Sequence, residues 1–187
     1  FAYFLNSNQP KLEIRDDPKS IFRLLYVGSL IPRKRVDLII DALKHLPGNV
    51  VLDVVGDGPL RSELELQAKT GAPNRVGFQG TRPMPEVSSF MMNADCLVLP
   101  SEHDGWGAVI SESLLVGTRV VCSDRCGASV AVLASRGGQV FETFTKGACT
   151  SALRREIARS WPTASERARI AKWAYCLTEA AGAAYLE

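Results

Sequence analysis

The 187-residue chain is 46% hydrophobic and carries 22 Lys and Arg against 20 Asp and Glu, a formal charge of +2. That length and composition suit one domain with a sizeable core, and so small a net charge lacks the field that binds nucleic acid through counterion release. No run of eighteen uncharged apolar residues suits a membrane span, and the opening "FAYFLNSNQP" lacks the basic and apolar regions of a signal peptide.

In chain order, residues 1–20 are polar, hold two prolines and keep no period, which predicts a leading segment or interdomain linker. A start at Phe1 without methionine reads as a fragment of a longer protein, and Leu186-Glu187 reads as vector-derived. Regular structure begins at Ile21. "FRLLYVG" (Phe22 to Gly28) is a short apolar run ending in glycine, and "VDLIIDALKHL" (Val36 to Leu46) switches to helical spacing. The alternation repeats: "VVLDVVG" precedes "PLRSELELQAK", "RVGFQG" precedes "PEVSSFMMNA", and "CLVLPS" precedes "GAVISESLLVG", with "RVVCSD" following. Five strands with four intervening helices predict an α/β, Rossmann-like doubly wound parallel sheet with helices on both faces, over residues 21–160. From Thr143 the pattern is helical, and Thr163 with Glu166 forms a capping box opening a C-terminal helix within 161–187. The cations of that helix read as a solvated face rather than a contact with an acidic membrane.

The five cysteines (Cys96, Cys122, Cys126, Cys149, Cys176) show no C-x-x-C spacing, which predicts reduced thiols in a cytosolic protein. Three of them lie in or beside Val/Leu-rich segments and behave there as small hydrophobes. His45 and His103 are isolated, so no metal site is expected.

In an open parallel sheet, ligands bind beyond the carboxyl ends of the strands, so the loops after each strand carry the search. The first loop, "VGSLIPRKR", sets Arg33, Lys34 and Arg35 before a helix N-terminus, where amides and dipole add to their charge for a phosphate. By itself this cluster reads first as an exposed basic loop. The second, "GDGPLR", lacks the third glycine of G-x-G-x-x-G and follows the second strand, so it is no dinucleotide fingerprint. Asp57 as a helix cap and Pro59 in the first helical turn account for it.

The fourth loop leads through "EHDGWG" into a helix, with Asp104 in the loop and Glu112 beyond the first helical turn, so that both carboxylates face one cleft. Gly105 and Gly107 let backbone approach a ligand, and the amides of residues 107–109 suit a phosphate. A carboxylate accepts from two hydroxyls at once, so vicinal diols are natural partners and the loop reads as a sugar-nucleotide site. Glu112 sits in an otherwise apolar run and needs a partner, a lysine being the plain alternative to a ligand.

Taken together, "VGSLIPRK", "VVGDGP", "VGFQG", "ADCLVLPS", "DGWGAVISESLLVGTRVVCSD" and "CGAS" resemble the C-terminal, donor-binding half of a family 4 retaining glycosyltransferase of the GT-B fold. The resemblance covers nearly all of residues 20–142, with six motifs in the family's order and spacing. It implies one half of a GT-B fold, with the acceptor bound mainly by a missing N-terminal domain and the isolated chain inactive. It implies transfer of a hexosyl group from a UDP- or GDP-hexose to a saccharide or glycolipid acceptor, with no metal or cofactor, at a cytoplasmic and membrane-peripheral place in polysaccharide biosynthesis. Asp104 and Lys34 take the catalytic roles, Asp104 at the sugar hydroxyls and Lys34 at the diphosphate, while Glu112 meets the ribose.

The implied donor-binding set is Ser29, Arg33, Lys34, Thr81, Arg82, Asp104, Gly105, Trp106, Gly107, Ala108 and Glu112, with Thr81 and Arg82 near the nucleobase. The chain departs from the family pattern at several places. Ser29 stands where an arginine is usual, Arg35 where a glycine is, Asp104 where a glutamate is and Trp106 where a phenylalanine is, and "CGASV" lacks the usual acidic residue. A non-catalytic nucleotide-binding module and a fragment of a GT-B sugar-nucleotide epimerase are the alternatives; a nicotinamide oxidoreductase lacks its glycine fingerprint.

Overall fold

The computed structural model describes residues 20–177, so the readings of the leading segment and of Leu186-Glu187 fall outside the described residues. Six strands, β1 (Phe22–Val27), β2 (Val50–Val55), β3 (Val76–Gly80), β4 (Cys96–Leu99), β5 (Arg119–Ser123) and β6 (Gly138–Phe141), form one sheet in the order β3-β2-β1-β4-β5-β6. Every neighbouring pair is parallel. β4 and β5 are buried at each position, as a parallel strand covered on both faces requires.

The helices are α1 (Val36–Leu43), α2 (Arg61–Gly71), α3 (Met84–Asn93), α4 (Ala108–Leu115), α5 (Ser129–Ala134), α6 (Ala148–Ala158) and α7 (Ala164–Ala174). α1 packs on α2 and α6, whereas α4 packs on α3, α5 and α7, so the two groups make the two layers of a doubly wound domain. Right-handed crossovers explain the division: chain moving from β1 toward β3 and chain moving from β4 toward β6 must place their helices on opposite faces.

Two elements were not anticipated. β6 is only four residues long, opens at Gly138 and carries Gln139, and α5 is six residues long, so neither repeats long enough to show a period. α1 ends at Leu43 instead of Leu46, with Lys44 as its C-cap. Asp57 does not cap α2, whose N-cap is Leu60; its carboxylate accepts from the Gly58 amide and from Arg61, and Pro59 precedes the helix.

The capping box at α7 forms by half. The Thr163 hydroxyl accepts the Glu166 amide at 3.2 Å, but the Glu166 side chain turns to Arg119 and Arg159. It thereby joins a buried charge cluster. Arg119 opens β5 and pairs with fully buried Glu156 of α6 at 3.3 Å as well as with Glu166. One side chain of the sheet thus ties down a helix from each layer. Truncating a member of such a cluster leaves an uncompensated buried charge, which is why it holds α6 and α7 firmly.

Candidate functional site

β1 and β4 lie side by side while the chain leaves them in opposite directions, so their carboxyl ends form the switch point of the sheet. The loops after them meet there. Lys34, closing the 3-10 turn Pro32–Lys34, donates from Nζ to Asp104 Oδ2, and the two side chains are only 13% and 17% exposed. Around them Arg33 Nη1 donates to the His103 carbonyl at 2.8 Å, the Glu102 amide donates to the Arg33 carbonyl at 2.8 Å, and Arg35 Nη1 donates to Glu102 Oε1 at 2.6 Å. Two loops seventy residues apart are therefore laced together by both backbone and charge.

Arg35 adopts φ 51 and ψ 42, the left-handed conformation that disfavours a side chain. This is the place where the resembling family uses glycine. Here the strain is offset by the guanidinium, which donates to Asp37 at 3.0 and 3.1 Å and to Glu102. Those acceptors hold its pKa above the ordinary arginine value, with the Asp37 hydrogen bond as the main cause. The consequence is that Arg35 is spoken for and does not replace the phosphate-binding arginine missing at Ser29; Arg33, exposed and held by one carbonyl, is the better placed of the two.

Tyr26 was not singled out in the sequence, where it stands among the apolar residues of β1. It is fully buried and donates from its hydroxyl to the Ser29 carbonyl at 2.9 Å, supporting the turn that leads to Lys34. Burial, with the charge of Asp104 adding to it, pushes its phenol far above the usual range, so it acts only as a neutral donor.

β1 and β2 also approach closely at this end. Gly56 has φ +133, and a Cβ built on it would lie 1.9 Å from the Gly28 carbonyl oxygen. Backbone contact of that kind admits glycine alone.

Beyond Asp104, Gly105 and Trp106 are exposed, and the indole Nε1 of Trp106 donates to Ser111 Oγ at 3.2 Å. Gly107, in the left-handed conformation, is the N-cap of α4, which begins at Ala108; no side chain caps the helix and its first turn holds no acidic residue. Its leading amides are thus oriented for an anion. Glu112 lies one turn further, half-buried, and among the described residues its carboxylate has no hydrogen bond or ion pair. The lysine alternative for its partner is not realised, and burial alone raises its pKa. Thr81 and Arg82 follow the edge strand β3, with β2 between them and β1; Arg82 is tied locally to the Gln79 carbonyl at 2.9 Å and to Glu86 at 3.4 Å.

Burial of Glu112 has a consequence for stability. Its folded pKa lies above the unfolded value, so its stabilising contribution is complete below the unfolded pKa and is lost as pH rises through the folded one. At neutral pH the ionised carboxylate costs stability. Glu112→Gln is therefore expected to raise Tm at pH 7 by about 1–3 °C, with the difference from wild type vanishing near pH 4 in a differential scanning calorimetry series.

A parallel sheet in this order, with basic and acidic loops meeting at its switch point, defines a Rossmann-like doubly wound domain whose ligand site lies at that switch point. The chain belongs to the glycosyl transferases group 1, whose family model matches residues 7–174. It is 34% identical over 142 residues to the lipopolysaccharide glucosyltransferase WaaG of Escherichia coli, covering 73% of this chain and 37% of the relative. The crystal structure of WaaG, a glycosyltransferase involved in lipopolysaccharide biosynthesis, superimposes with TM-score 0.69 at 30% identity, over 87% of this chain and 42% of that one. HepE of Anabaena, solved in complex with UDP and glucose, superimposes with TM-score 0.69 at 26% identity, over 84% of this chain and 43% of that one. The chain spans about a third of the length of the curated relatives it matches. Among the described residues no group of three or more His, Cys, Asp and Glu side chains is arranged to hold a metal, and no helix is long and apolar enough to cross a membrane.

Proposed function

We propose that this chain is the donor-binding half of a retaining glycosyltransferase that moves a hexosyl group from a UDP- or GDP-hexose to a saccharide or lipid-linked acceptor. The observation that carries the reading is Glu112. A half-buried carboxylate without a partner is costly to keep, and a ribose diol presents the two donors that would satisfy it. UDP and glucose in the HepE structure support the same ligand class.

In this reading Lys34 and Asp104 exchange partners when the donor enters. The ammonium turns from Asp104 to the diphosphate, where with the leading amides of α4 it stabilises charge developing on the leaving group. Asp104, released, accepts from hydroxyls of the transferred sugar. Each ionic group keeps a partner before and after, so the exchange strands no charge in the half-buried site. Thr81 and Arg82 line the base side. The acceptor is bound mainly by a second domain whose closure completes the positioning, so the isolated 187-residue chain binds donor without transfer. The lipopolysaccharide activity in the name of WaaG supports a glycan or glycolipid acceptor.

Titration calorimetry of the chain with UDP, GDP and ADP tests this. Selective binding of UDP or GDP is the expected result, weakened roughly tenfold by Glu112→Gln through loss of the ribose contact. Equal affinity in Glu112→Gln would remove Glu112 from the site. Failure of all three nucleotides to bind would count against a donor site in this chain, whereas nucleotide binding without transfer by the full-length protein would favour the non-catalytic module, for which the serine at position 29 is the supporting departure.

A further inference from the structure

The loop that carries Asp104 is held from both sides. On one side stand the charges of the β1 loop, Lys34 foremost among them. On the other lies the turn after β5, Ser123 to Ala128, which grips the loop along its length. The Ser123 hydroxyl donates to the Ser101 carbonyl at 2.5 Å. The Arg125 carbonyl accepts from the Asp104 amide at 3.1 Å and the Gly127 amide donates to the Asp104 carbonyl at 3.2 Å, so that Asp104 and Cys126 form an isolated parallel bridge. The Ala128 amide donates to the Trp106 carbonyl at 2.7 Å, one residue before the Gly107 N-cap of α4. A Cβ on Gly127 would fall 2.2 Å from the Gly105 carbonyl oxygen and 3.2 Å from the Trp106 Cα, so turn and loop touch without slack.

The turn is itself anchored away from the site, on the chain leaving β6. Asp124 Oδ1 accepts from the Thr143 amide at 3.0 Å and from the Thr143 hydroxyl at 2.5 Å, while the Asp124 amide donates to the Phe141 carbonyl at 2.9 Å. The Arg125 guanidinium lies 5.5 Å from the centroid of the Phe144 ring, a second tie to the same segment. β5 stands between β4 and β6 in the sheet, so the turn carries the position of β6 across to the loop after β4. Movement of the turn must move the loop.

We propose that Asp124 and Gly127 are positioning residues for the donor site: Asp124 anchors the turn on Thr143, Gly127 sets its distance from the Asp104–Trp106 loop, and together they fix where Asp104 and the leading amides of α4 stand. Neither acts on the ligand itself. The positioning role rests on the function proposed above, whereas the brace between turn and loop does not. When Lys34 leaves Asp104 for a diphosphate, the loop gives up an ionic tie to β1, and the bonds to the turn keep the backbone of Asp104 in place while its carboxylate takes sugar hydroxyls. Precision matters there, since a displacement of about 1 Å in a reacting site lowers rates by on the order of 10². The need for glycine at position 127 follows from the same contact: a side chain would wedge the loop outward.

The chain carrying Asp124→Ala, Asp124→Asn or Gly127→Ala is compared with wild type by amide hydrogen exchange and by calorimetry with UDP and GDP, under conditions where urea curves show each variant folded. Asp124→Ala removes the acceptor for Thr143, and roughly tenfold faster exchange is expected at the Asp104, Gly127 and Ala128 amides, with exchange in β1 and β4 unchanged. Nucleotide affinity is expected to fall about fivefold with it. Asp124→Asn keeps an oxygen for both Thr143 donors and is expected to stay within about twofold of wild type in both readouts. Gly127→Ala leaves the Thr143 anchor and wedges turn from loop, with an expected loss of affinity of about tenfold; Asp124, at the surface, decides the point if that variant does not fold. Unaltered exchange at Asp104 in Asp124→Ala would overturn the proposal, as would faster exchange with nucleotide affinity unchanged. Higher affinity in both Asp124 variants would also overturn it, since the carboxylate would then act by its charge. A wild-type chain that binds neither nucleotide, while exchange responds as expected, would refute the donor-site reading and leave the brace standing.

Discussion

Lys34→Ala is expected to weaken UDP binding by roughly 30-fold and to lower kcat of the full-length enzyme by about 10²–10³. Two losses add. The ammonium that would meet the diphosphate is gone, and Asp104 is left as an unpaired carboxylate beside it, only 17% exposed and repelling the incoming anion. Arg35 does not stand in, because Asp37 and Glu102 occupy its guanidinium. The two losses are separable: Lys34→Ala with Asp104→Asn removes the repulsion and is expected to recover several-fold of the UDP affinity lost in Lys34→Ala alone. Identical affinities for the single and double variants in calorimetry would show that the ion pair plays no part in ligand entry.

The second large effect is on the fold. Gly56→Ala is expected to cost about 3–5 kcal/mol, lowering Tm by roughly 6–15 °C for a domain of this size. No rotamer relieves a Cβ 1.9 Å from the Gly28 carbonyl oxygen; one of the two strand ends must withdraw, and φ +133 adds strain of its own. Gly48→Ala is the matched control, since a Cβ there meets nothing within 4 Å, and it is expected to change stability by under about 0.5 kcal/mol. Urea unfolding of both variants decides the point; equal midpoints would mean that the strand ends separate freely.

The long strands and helices were legible because continuous apolar runs and 3.6-residue periodicity are local signals. β6 and α5 were not, being too short to repeat. Lys34 and Asp104 were each recognisable in their own loops, but their contact depends on β1 lying next to β4, which no spacing along the chain reports. The same limit hid the turn after β5, where the Arg125 carbonyl accepts from the Asp104 amide and the Gly127 amide donates to the Asp104 carbonyl, bonds made by backbone atoms. Arg35 is the opposite case. As a departure from the family's glycine it looked like an extra cation for phosphate, and the left-handed backbone shows it to be a side chain engaged in holding its own turn.

The β1–β4 adjacency bears on how the domain comes together. β1, β2 and β3 are joined by contacts close in sequence, and so are β4, β5 and β6, whereas β1 meets β4 across some seventy residues of intervening chain. The seam between the two halves therefore carries the largest loop-closure entropy in the sheet, about 1 kcal/mol beyond that of a pairing within either half. Lys34 belongs to one half and Asp104 to the other. A ligand bridging the two loops therefore clamps the seam of the sheet that is entropically costliest to close.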